Sequence, residues 1–453
     1  LFLMIMIGDT IFFGSQKDDR KFILSLLGAL AFAEDRAVLN GDLSETNVIV
    51  SNDGNIRMDF TMTLPGVLGL EEMLDAGESL GIKILAKRVF GFTSDNVWSP
   101  MCLPRKILDR IVDEFIEKVL YEPNVGYYTK KIPFGRKGDF VTAPTISNLF
   151  SEIIGIWIVS TWEKLGKPKK FNFVELGPGD GSLTKVLVDT FKKFPEFNKS
   201  IHIYLYEKSD LLKNIQQKKL KGLNVKWIQN FSKIKKGPII FFGNEFFDAI
   251  PIKQFIYEKN SLYEKCYIIN SISKLDQTYK KASVDDVIKI KKFKVFKGLK
   301  FIEYPKLGFV ELDNIIKKIN KLSGGILLID YGYLNMVNKS TLQSVMNNKK
   351  INMDSLIKNL GKADITSLVN FKLLKEYFKK KNLKVKGAVS QKFFLEKMGI
   401  IERARILEKN MTAKQKDYMS ITLMRLLDKN LMGTLFKVIF GFKSHKNDFL
   451  GFQ

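Results

Sequence analysis

From residue 170 onward, short apolar runs alternate along the chain with stretches of helical period. Continuous apolar runs of this length are typical of strands buried on both faces, which occur in parallel sheets covered by helices. Residues Ser182–Lys193, after the first run, have the spacing of an amphipathic helix. The pattern predicts an α/β fold with a doubly wound, mostly parallel sheet. The predicted strands are Phe171–Leu176, His202–Tyr206, Val225–Ile228, Ile239–Gly243 and Gly325–Ile329.

A lysine-rich insertion, about residues 257–305, separates the fourth and fifth predicted strands. Charged and apolar residues alternate within it, as in Val287–Phe296. Alternation with a period of two is typical of half-buried strands. We therefore predict inserted antiparallel strands in this segment, and accessory helices outside the central sheet.

Residues 1–100 differ from the rest of the chain in charge. They contain 8 Lys and Arg against 14 Asp and Glu, whereas the whole chain has a net charge of +25. Within them, Asn52-Asp53-Gly54 lies between the apolar runs Val48–Val50 and Ile56–Phe60 and predicts a β-hairpin. A helix over Glu71–Leu80 and a strand over Ile82–Ala86 complete a small α+β segment of unknown role. Two interpretations stay open for it: a fusion, or an upstream reading frame joined to this one.

The charge change near residue 100 marks a domain boundary. Beyond it, Ile107, Ile111, Phe115 and Val119 repeat with a helical period. We predict four segments: 1–100 as the α+β segment, 101–170 as a helical and lid part, 171–405 as the core with its insertion, and 406–453 as a helical tail.

The composition argues against several classes of site. A basic surface can bind nucleic acid, but Lys exceeds Arg throughout and Asn and Ile are abundant, which indicates general compositional drift. Nucleic-acid binding is therefore not favoured. The chain has two cysteines and two histidines, too few for a disulfide framework or for a His/Cys metal site. We expect no bound metal.

Apolar segments long enough to cross a membrane are not predicted. No apolar run reaches the roughly 18 residues that a spanning helix needs. Phe22–Ala33 is similar to the apolar part of a secretory signal, but it begins about 20 residues into the chain, and we interpret it as a buried helix.

The first predicted strand runs directly into a glycine-rich turn, Glu175-Leu176-Gly177-Pro178-Gly179-Asp180-Gly181. Glycines let the backbone approach a ligand closely, and the helix that follows presents free N–H groups. Dinucleotide-binding folds place pyrophosphate at a similar turn. One alternative is a nicotinamide dinucleotide, whose usual glycine spacing this turn matches less well. The other alternative is a tight turn that binds no ligand. Glu175 would face a cationic group of the ligand, usually through water.

Two further acidic positions follow predicted strands. Glu207 ends the second strand, where a carboxylate can accept hydrogen bonds from both hydroxyls of a ribose; the alternative is a solvated charge. Asn244, Glu245 and Asp248 follow the fourth strand. Ligands of doubly wound sheets bind beyond the carboxyl ends of the strands, so these three polar residues are candidates for contact with a second substrate. Helix capping is the alternative for Asn244 and Asp248.

A glycine-rich stretch precedes the first strand. Gly126-Tyr127-Tyr128 and Phe134–Pro144 have no clear period, and a loop of this length within a compact domain is usually functional. We predict that it forms a lid over the cofactor. Gly138, Asp139 and Thr142 are its candidate contacts.

Seven motifs, taken together and in order, resemble the MidA-like family of class I S-adenosylmethionine-dependent methyltransferases. The resemblance covers about residues 107–405. The motifs are Leu120-Tyr121-x-Pro-x-x-Gly126-Tyr127-Tyr128, Gly138-Asp139-Phe140-x-Thr142-Ala143-Pro144, Glu175-Leu176-Gly177-Pro178-Gly179-x-Gly181, Asn244-Glu245-Phe246-Phe247-Asp248-Ala249, Asp330-Tyr331-Gly332, Asp364-Ile365-Thr366 and Gln391-x-Phe393-x-Leu395-x-x-x-Gly399-Ile400-x-x-Arg403-Ala404.

The resemblance implies a Rossmann-like class I methyltransferase core with S-adenosyl-L-methionine bound over Gly177, Pro178, Gly179 and Gly181. The mitochondrial branch of the family contains an arginine methyltransferase that acts in the assembly of respiratory complex I. The resemblance therefore implies a protein substrate, with a complex I subunit as the leading candidate. No Arg- and Ser-rich presequence leads the chain, so we expect a bacterial cytoplasm, or the mitochondrial matrix for a eukaryotic source.

Two segments depart from the family pattern. Asn347-Asn348-Lys349 stands where the family tends to have Gly-His-Arg. Ser367–Phe371 stands where it tends to have Ala-His-Val-Asp-Phe. These changes concern the identity of the methyl acceptor more than the binding of the cofactor.

Glu245 and Asp248 are our candidates for holding an arginine acceptor, since carboxylates can bind a guanidinium bidentately. Two other functions remain open: a docking factor for assembly that has lost turnover, and a methyltransferase for RNA or a small molecule. RNA enzymes that methylate amino groups usually have Pro-Pro and an aromatic residue after the fourth strand. This chain has Glu245-Phe246-Phe247 there, which counts against RNA.

Overall fold

The structure is a computed structural model, and its chain divides into two compact units. One unit comprises Leu1–Arg110 with Tyr267–Thr278, and the other comprises Ile111–Cys266 with Tyr279–Gln453. The structure describes residues 3–7, 10–14, 46–50, 56–60, 110–122, 126–130, 143–146, 148–269, 275–346, 349–351 and 362–453.

An eight-stranded sheet forms the centre of the second unit. Its strands are β1 (Phe171–Leu176), β2 (Ile201–Tyr206), β3 (Val225–Ile228), β4 (Ile239–Asn244), β5 (Gly324–Tyr333), β6 (Val369–Asn370), β7 (Lys384–Ser390) and β8 (Phe436–Lys443).

The strand order is β7-β8-β5-β4-β1-β2-β3, and β6 pairs with the end of β5. The ladders β5-β4, β4-β1, β1-β2 and β2-β3 are parallel. From β1 the chain continues through β2 to β3 at one edge of the sheet, and from β4 it continues through β5 toward the other edge. The strand order therefore reverses between β1 and β4. A doubly wound sheet opens a crevice at such a reversal, beyond the carboxyl ends of the two strands. The candidate residues after β1 and β4 therefore meet at one place.

Helices cover both faces of this sheet. Six are labelled: α1 (Val112–Tyr121), α2 (Asn148–Lys164), α3 (Ser182–Phe191), α4 (Asp210–Lys219), α5 (Lys306–Leu322) and α6 (Phe371–Lys380). The remaining described helices are Tyr127–Lys130, Ala143–Ile146, Pro195–Ser200, Val284–Lys291, Gln391–Lys397, Ile400–Glu408, Ala413–Leu427 and Met432–Leu435, with a 3₁₀ turn at Lys294–Phe296. None of the helices in the described part of the chain is long and apolar enough to span a membrane.

The apolar core consists of two clusters, one on each side of the sheet. Successive residues of β1 enter different clusters: Phe173 belongs to the cluster of Trp157 and Leu187, whereas Val174 belongs to the cluster of Phe309. Because both faces are buried, the strand is apolar along its length rather than alternating. All five predicted strands are confirmed, with ends that differ by up to four residues.

The insertion contains the antiparallel strands that its sequence predicts, but not over Val287–Phe296. Lys253–Glu258 pairs antiparallel with both Ser261–Ile269 and Phe301–Tyr304, and a further strand spans Leu275–Lys281. The strand prediction for Val287–Phe296 is wrong, because this segment lies in the helix Val284–Lys291 and a 3₁₀ turn. The Ser283 hydroxyl caps the helix by accepting a hydrogen bond from the Asp286 N–H at 3.1 Å.

The segment predicted as a C-terminal helical tail is only partly helical. Its last regular element is strand β8, which pairs antiparallel with β5 over eight residue pairs. Phe436, Val438, Phe440 and Phe442 all enter one core cluster, and this period of two is the strand signal that the prediction missed.

In the first unit, Thr46–Val50 pairs antiparallel with Ile56–Phe60, which confirms the predicted hairpin. A second hairpin joins Leu3–Ile7 and Thr10–Gly14. The elements predicted at Phe22–Ala33, Glu71–Leu80 and Ile82–Ala86 lie outside the described residues. The four predicted segment boundaries stay predictions.

Candidate active site

The turn after β1 has the backbone conformation that its glycines permit. Gly177, Gly179 and Gly181 have φ angles of 60°, 56° and 81°, in the left-handed region where residues with a Cβ are strained. A Cβ on Gly177 would lie 3.2 Å from the Phe246 ring. Gly181 is the N-terminal cap of α3, so the turn leads directly to the N-terminal N–H groups of that helix. The first of them, on Ser182, donates to Asp180 Oδ1 at 2.9 Å.

Glu175 lies beneath this turn and is only 5% exposed. Its carboxylate accepts a hydrogen bond from the Thr184 hydroxyl of α3. Burial raises the pKa of Glu175 to about 7, although the Thr184 hydrogen bond opposes that change. Glu175 therefore anchors α3 to the end of β1, and it is not among the residues that line the cavity described below.

Glu207, at the end of β2, is held by backbone and side-chain hydrogen-bond donors. Its Oε1 accepts from the Ser209 N–H at 2.8 Å, and its Oε2 accepts from Gln216 Nε2 at 3.0 Å. Burial raises its pKa, and the bonds from Ser209 and Gln216 oppose the rise. The Lys208 N–H donates to this carboxylate as well. Because a carboxylate has about four acceptor sites, Glu207 keeps capacity for a ligand hydroxyl.

Gln216 is a residue that sequence reasoning missed. Its side chain, fully buried on α4, donates to both Glu207 and the Gly179 carbonyl, the latter at 2.7 Å. It also accepts a 2.9 Å hydrogen bond from the Trp227 indole N–H. Gln216 therefore fixes the distance between the glycine turn and Glu207. In the sequence it is one of two adjacent glutamines in a polar helix, which gives no local signal.

A cavity of about 440 Å³ lies at the carboxyl ends of β1, β2 and β4, a volume suited to a small-molecule ligand. Gly177, Gly179, Glu207, Glu245 and Asp248 line it, and thus five of the predicted site residues meet there. Pro178, Gly181 and Asn244 adjoin the wall without lining it. Gly138, Asp139 and Thr142 lie outside the described residues, whereas Tyr128 and Thr129 of the predicted lid line the cavity.

The segment after β4 is held in an unusual conformation by its neighbours. Glu245 has a φ of 50°, and its N–H donates to the Ile329 carbonyl at 2.9 Å. The Asp330 carboxylate accepts from the N–H groups of Phe247 and Asp248 at 2.8 and 3.3 Å. Sequence reasoning identified the Asp330 motif but gave this carboxylate no role. Asp330 orients the turn that carries both candidate acids.

Three buried carboxyl groups come together at this turn. Burial, and then the charge of Asp248, raises the pKa of Glu245 to about 8. Burial raises the pKa of Asp248 to about 7 and that of Asp330 well above its usual range. The unliganded site therefore holds protons that a cationic ligand would displace.

Two buried oxygens at the turn have unused hydrogen-bonding capacity. Asn244 Nδ2 donates to Glu245 Oε1 at 3.0 Å, but the Asn244 Oδ1 atom accepts no hydrogen bond from any described residue. The same holds for Oδ1 of Asp248, a residue that is 7% exposed. Buried polar atoms in native proteins nearly always have partners. Because Asp248 lines the cavity, its unpartnered oxygen can accept a hydrogen bond from a ligand donor.

The lining of the cavity is strongly acidic. The only cation among the described lining residues, Lys208, pairs with Glu311 at 2.7 Å. The acids that line it are Glu117, Glu207, Glu245, Asp248, Glu311 and Asp364. Such a concave acidic surface favours a cationic ligand.

In one departure from the family pattern, Asn370 stands where the family tends to have Asp and can fill the same capping role. Asn370 caps α6, because its Oδ1 accepts from the Leu373 N–H at 3.0 Å, and Asn and Asp are equivalent at this position. The Ser367 N–H donates to the Asp248 carbonyl at 3.1 Å. Residues 347–348, in the other departure, lie outside the described residues.

Comparison with known proteins gives concordant findings. Residues 153–389 match the protein family described as "Putative S-adenosyl-L-methionine-dependent methyltransferase". "Protein arginine methyltransferase NDUFAF7, mitochondrial" of Xenopus laevis is 28% identical over 322 residues, which cover 65% of this chain and 72% of that protein. The homolog of Caenorhabditis elegans is 29% identical over 329 residues, covering 65% and 74%.

A solved structure has the same fold. It is that of a Burkholderia thailandensis protein bound to S-adenosyl-homocysteine, with a TM-score of 0.65 and 20% identity. The match covers 87% of this chain and 97% of that one. At this identity the likeness shows the fold alone.

Proposed function

Because the chain belongs to this family of S-adenosyl-L-methionine-dependent methyltransferases, we propose that it transfers the methyl group to arginine in a protein, with a respiratory complex I subunit or a similar protein as substrate. The observation that carries the proposal is the pair of buried acids, Glu245 and Asp248, with an unpartnered Asp248 oxygen, in an acidic cavity beside the glycine turn. The names of the relatives support arginine as the acceptor.

The glycine turn and the end of β2 fit the cofactor. Gly177 leaves room where a Cβ would meet Phe246, and the Glu207 carboxylate keeps acceptor capacity for a ribose hydroxyl. Gly179 lines the cavity between them. Glu175, beneath the turn, would act on the cationic amino-acid part through water. When bound, the cofactor supplies a methyl group on a cationic sulfur.

Glu245 and Asp248 have two tasks with an arginine acceptor. A guanidinium remains protonated at neutral pH, since its pKa exceeds about 12, so a methylated nitrogen must release a proton. Carboxylates that pair with the guanidinium orient one nitrogen along the line of transfer, and such positioning supplies much of a rate enhancement. Their raised pKa values also make them better bases than an ordinary carboxylate. Asn244 holds Glu245 in place.

We expect kcat/KM for the acceptor to rise with pH through the pKa values of about 7 for Asp248 and about 8 for Glu245. Below these values the carboxyls of the free enzyme are protonated and cannot pair with a cation. Above them both are charged, and the guanidinium keeps its charge over the whole range. The check is a profile of kcat/KM, which reports the groups of the free enzyme. A profile that is flat or falls between about pH 6 and 9 contradicts the assignment.

The function itself is tested with the full chain in two steps. Calorimetric titration of S-adenosyl-L-methionine measures cofactor binding, and transfer of a radioactive methyl group to complex I subunits, followed by amino-acid analysis, identifies the acceptor. We expect micromolar binding and methylarginine. Binding without transfer to any protein would favour the docking factor that has lost turnover, and label in RNA would overturn the protein substrate.

The compartment that we propose depends on whether the source is eukaryotic or bacterial. The relatives named above are mitochondrial by their descriptions, which supports the matrix for a eukaryotic source. For a bacterial source we propose the cytoplasm.

A further inference from the structure

Tyr128 connects the two ends of the cavity. Its main-chain carbonyl accepts a hydrogen bond from the Ser209 hydroxyl at 2.8 Å, next to Glu207 on the side proposed for the cofactor. Its own hydroxyl donates to Asp364 Oδ2 at 3.1 Å. Both Tyr128 and Asp364 line the cavity. One residue is thus fixed to the cofactor side by its backbone and to Asp364 by its side chain.

Asp364 is a rigid, buried carboxylate on an element that carries none of the acids proposed above. It is 1% exposed, and its Oδ1 accepts from the Ile365 N–H at 2.9 Å. The strand Asp364–Thr366 pairs with Gln343–Met346, and the Ser344 hydroxyl donates to the Asp364 carbonyl at 3.0 Å. The carboxylate is therefore in place before any ligand binds, which lowers the cost of binding.

Two aromatic rings form the wall beside it. The rings of Tyr121 and Tyr128 stack with centroids 5.5 Å apart and an angle of 17° between their planes. The Tyr121 hydroxyl donates to the Ala249 carbonyl at 3.1 Å, one residue beyond Asp248. Burial, followed by the charge of Asp364, raises the pKa of Tyr128 well above its usual range, so its hydroxyl stays protonated and remains a donor to Asp364.

We propose that Asp364, with the Tyr121–Tyr128 ring pair, forms a second wall of the acceptor site and selects a guanidinium over an ammonium group. This inference rests on the proposed arginine acceptor. The planar guanidinium has five N–H donors in a fixed fork and stacks on aromatic rings. It can pair with Asp364 on one side and with Glu245 and Asp248 on the other. A lysine ammonium is a compact charge without this fork, and it cannot reach two separate walls in the same way.

The test measures binding of ethylguanidinium chloride, with ethylammonium chloride for comparison, to the full chain saturated with S-adenosyl-homocysteine. We expect the wild-type protein to prefer ethylguanidinium. Asp364→Asn should weaken ethylguanidinium binding by about 10- to 100-fold, the range for loss of a hydrogen bond to a charged group. Affinity for S-adenosyl-homocysteine should stay the same. Asp364→Glu, which keeps the charge, should recover part of the loss.

Asp313→Asn is the matched control. Asp313 also accepts a tyrosine hydrogen bond, from Tyr377 at 2.5 Å, but it does not line the cavity. Unlike Asp364, Asp313 is partly exposed and also pairs with Lys381 at 2.6 Å. The variant therefore controls for loss of a carboxylate that holds a tyrosine hydroxyl, and it should bind ethylguanidinium as the wild type does.

The negative results of this binding test lead to different conclusions. If the wild type binds S-adenosyl-homocysteine but not ethylguanidinium, the arginine acceptor is wrong and this inference is wrong with it. If the wild type binds ethylguanidinium and Asp364→Asn binds it equally well, only the role of Asp364 is wrong. If Asp364→Asn does not fold, Tyr128→Phe decides: it should weaken ethylguanidinium binding several-fold, and unchanged binding overturns the inference.

Discussion

Replacing Glu245 with glutamine is expected to lower kcat by about 100- to 10,000-fold, the range that a positioned acid or base contributes. Glutamine keeps the size of the side chain and its bond with Asn244, but it removes the charge and the basic oxygen. Affinity for S-adenosyl-L-methionine should change little, because the carboxylate lies after β4 and the glycine turn and Glu207 belong to β1 and β2. Single-turnover kinetics and calorimetry on the same preparation measure the two quantities.

Glu303→Gln serves as the control for this variant. Glu303 is a buried glutamate whose pKa is also raised by burial, but it lies on the strand Phe301–Tyr304 and does not line the cavity. Its loss should lower the free energy of unfolding and leave kcat near the wild-type value. If Glu245→Gln turns over as fast as the wild type, Glu245 neither orients the acceptor nor accepts its proton.

The central strands could be predicted from the sequence because of their burial. Residues of β1 contact a core cluster on either side, so apolar residues fill the strand and the signal is strong. The insertion was harder to predict, since charged and apolar residues alternate in Val287–Phe296. The buried residues Ile290, Phe293 and Phe296 of the same segment also have a three-residue spacing. The cap at Ser283 and the acids Asp285 and Asp286 of the first turn favour the helix.

The contacts within the site could not be predicted from spacing. The Tyr128 hydroxyl and Asp364 are 236 residues apart in the chain, and Asp330 holds a turn that lies 82 and 83 residues before it. Each of these residues lies in a motif that the sequence identified. Which motif contacts which depends on the order of the strands, because the reversal between β1 and β4 decides what lies beside the cavity.

Gly177→Val is expected to weaken S-adenosyl-L-methionine binding by about 5- to 150-fold, because overfilling a packed site costs about 1–3 kcal/mol. The first added atom would already lie 3.2 Å from the Phe246 ring, and both residues line the cavity.

Gly222→Val is the control that separates the loss of space from backbone strain. Gly222 also has a left-handed φ, 82°, but nothing lies within 4 Å of an added Cβ. Both variants should unfold at lower temperature, since each places a side chain in a left-handed conformation. Only Gly177→Val should lose cofactor affinity in calorimetric titration. Equal affinity of the two variants would place the cofactor away from the turn after β1, and the fit of Glu207 to a ribose would then fail with it.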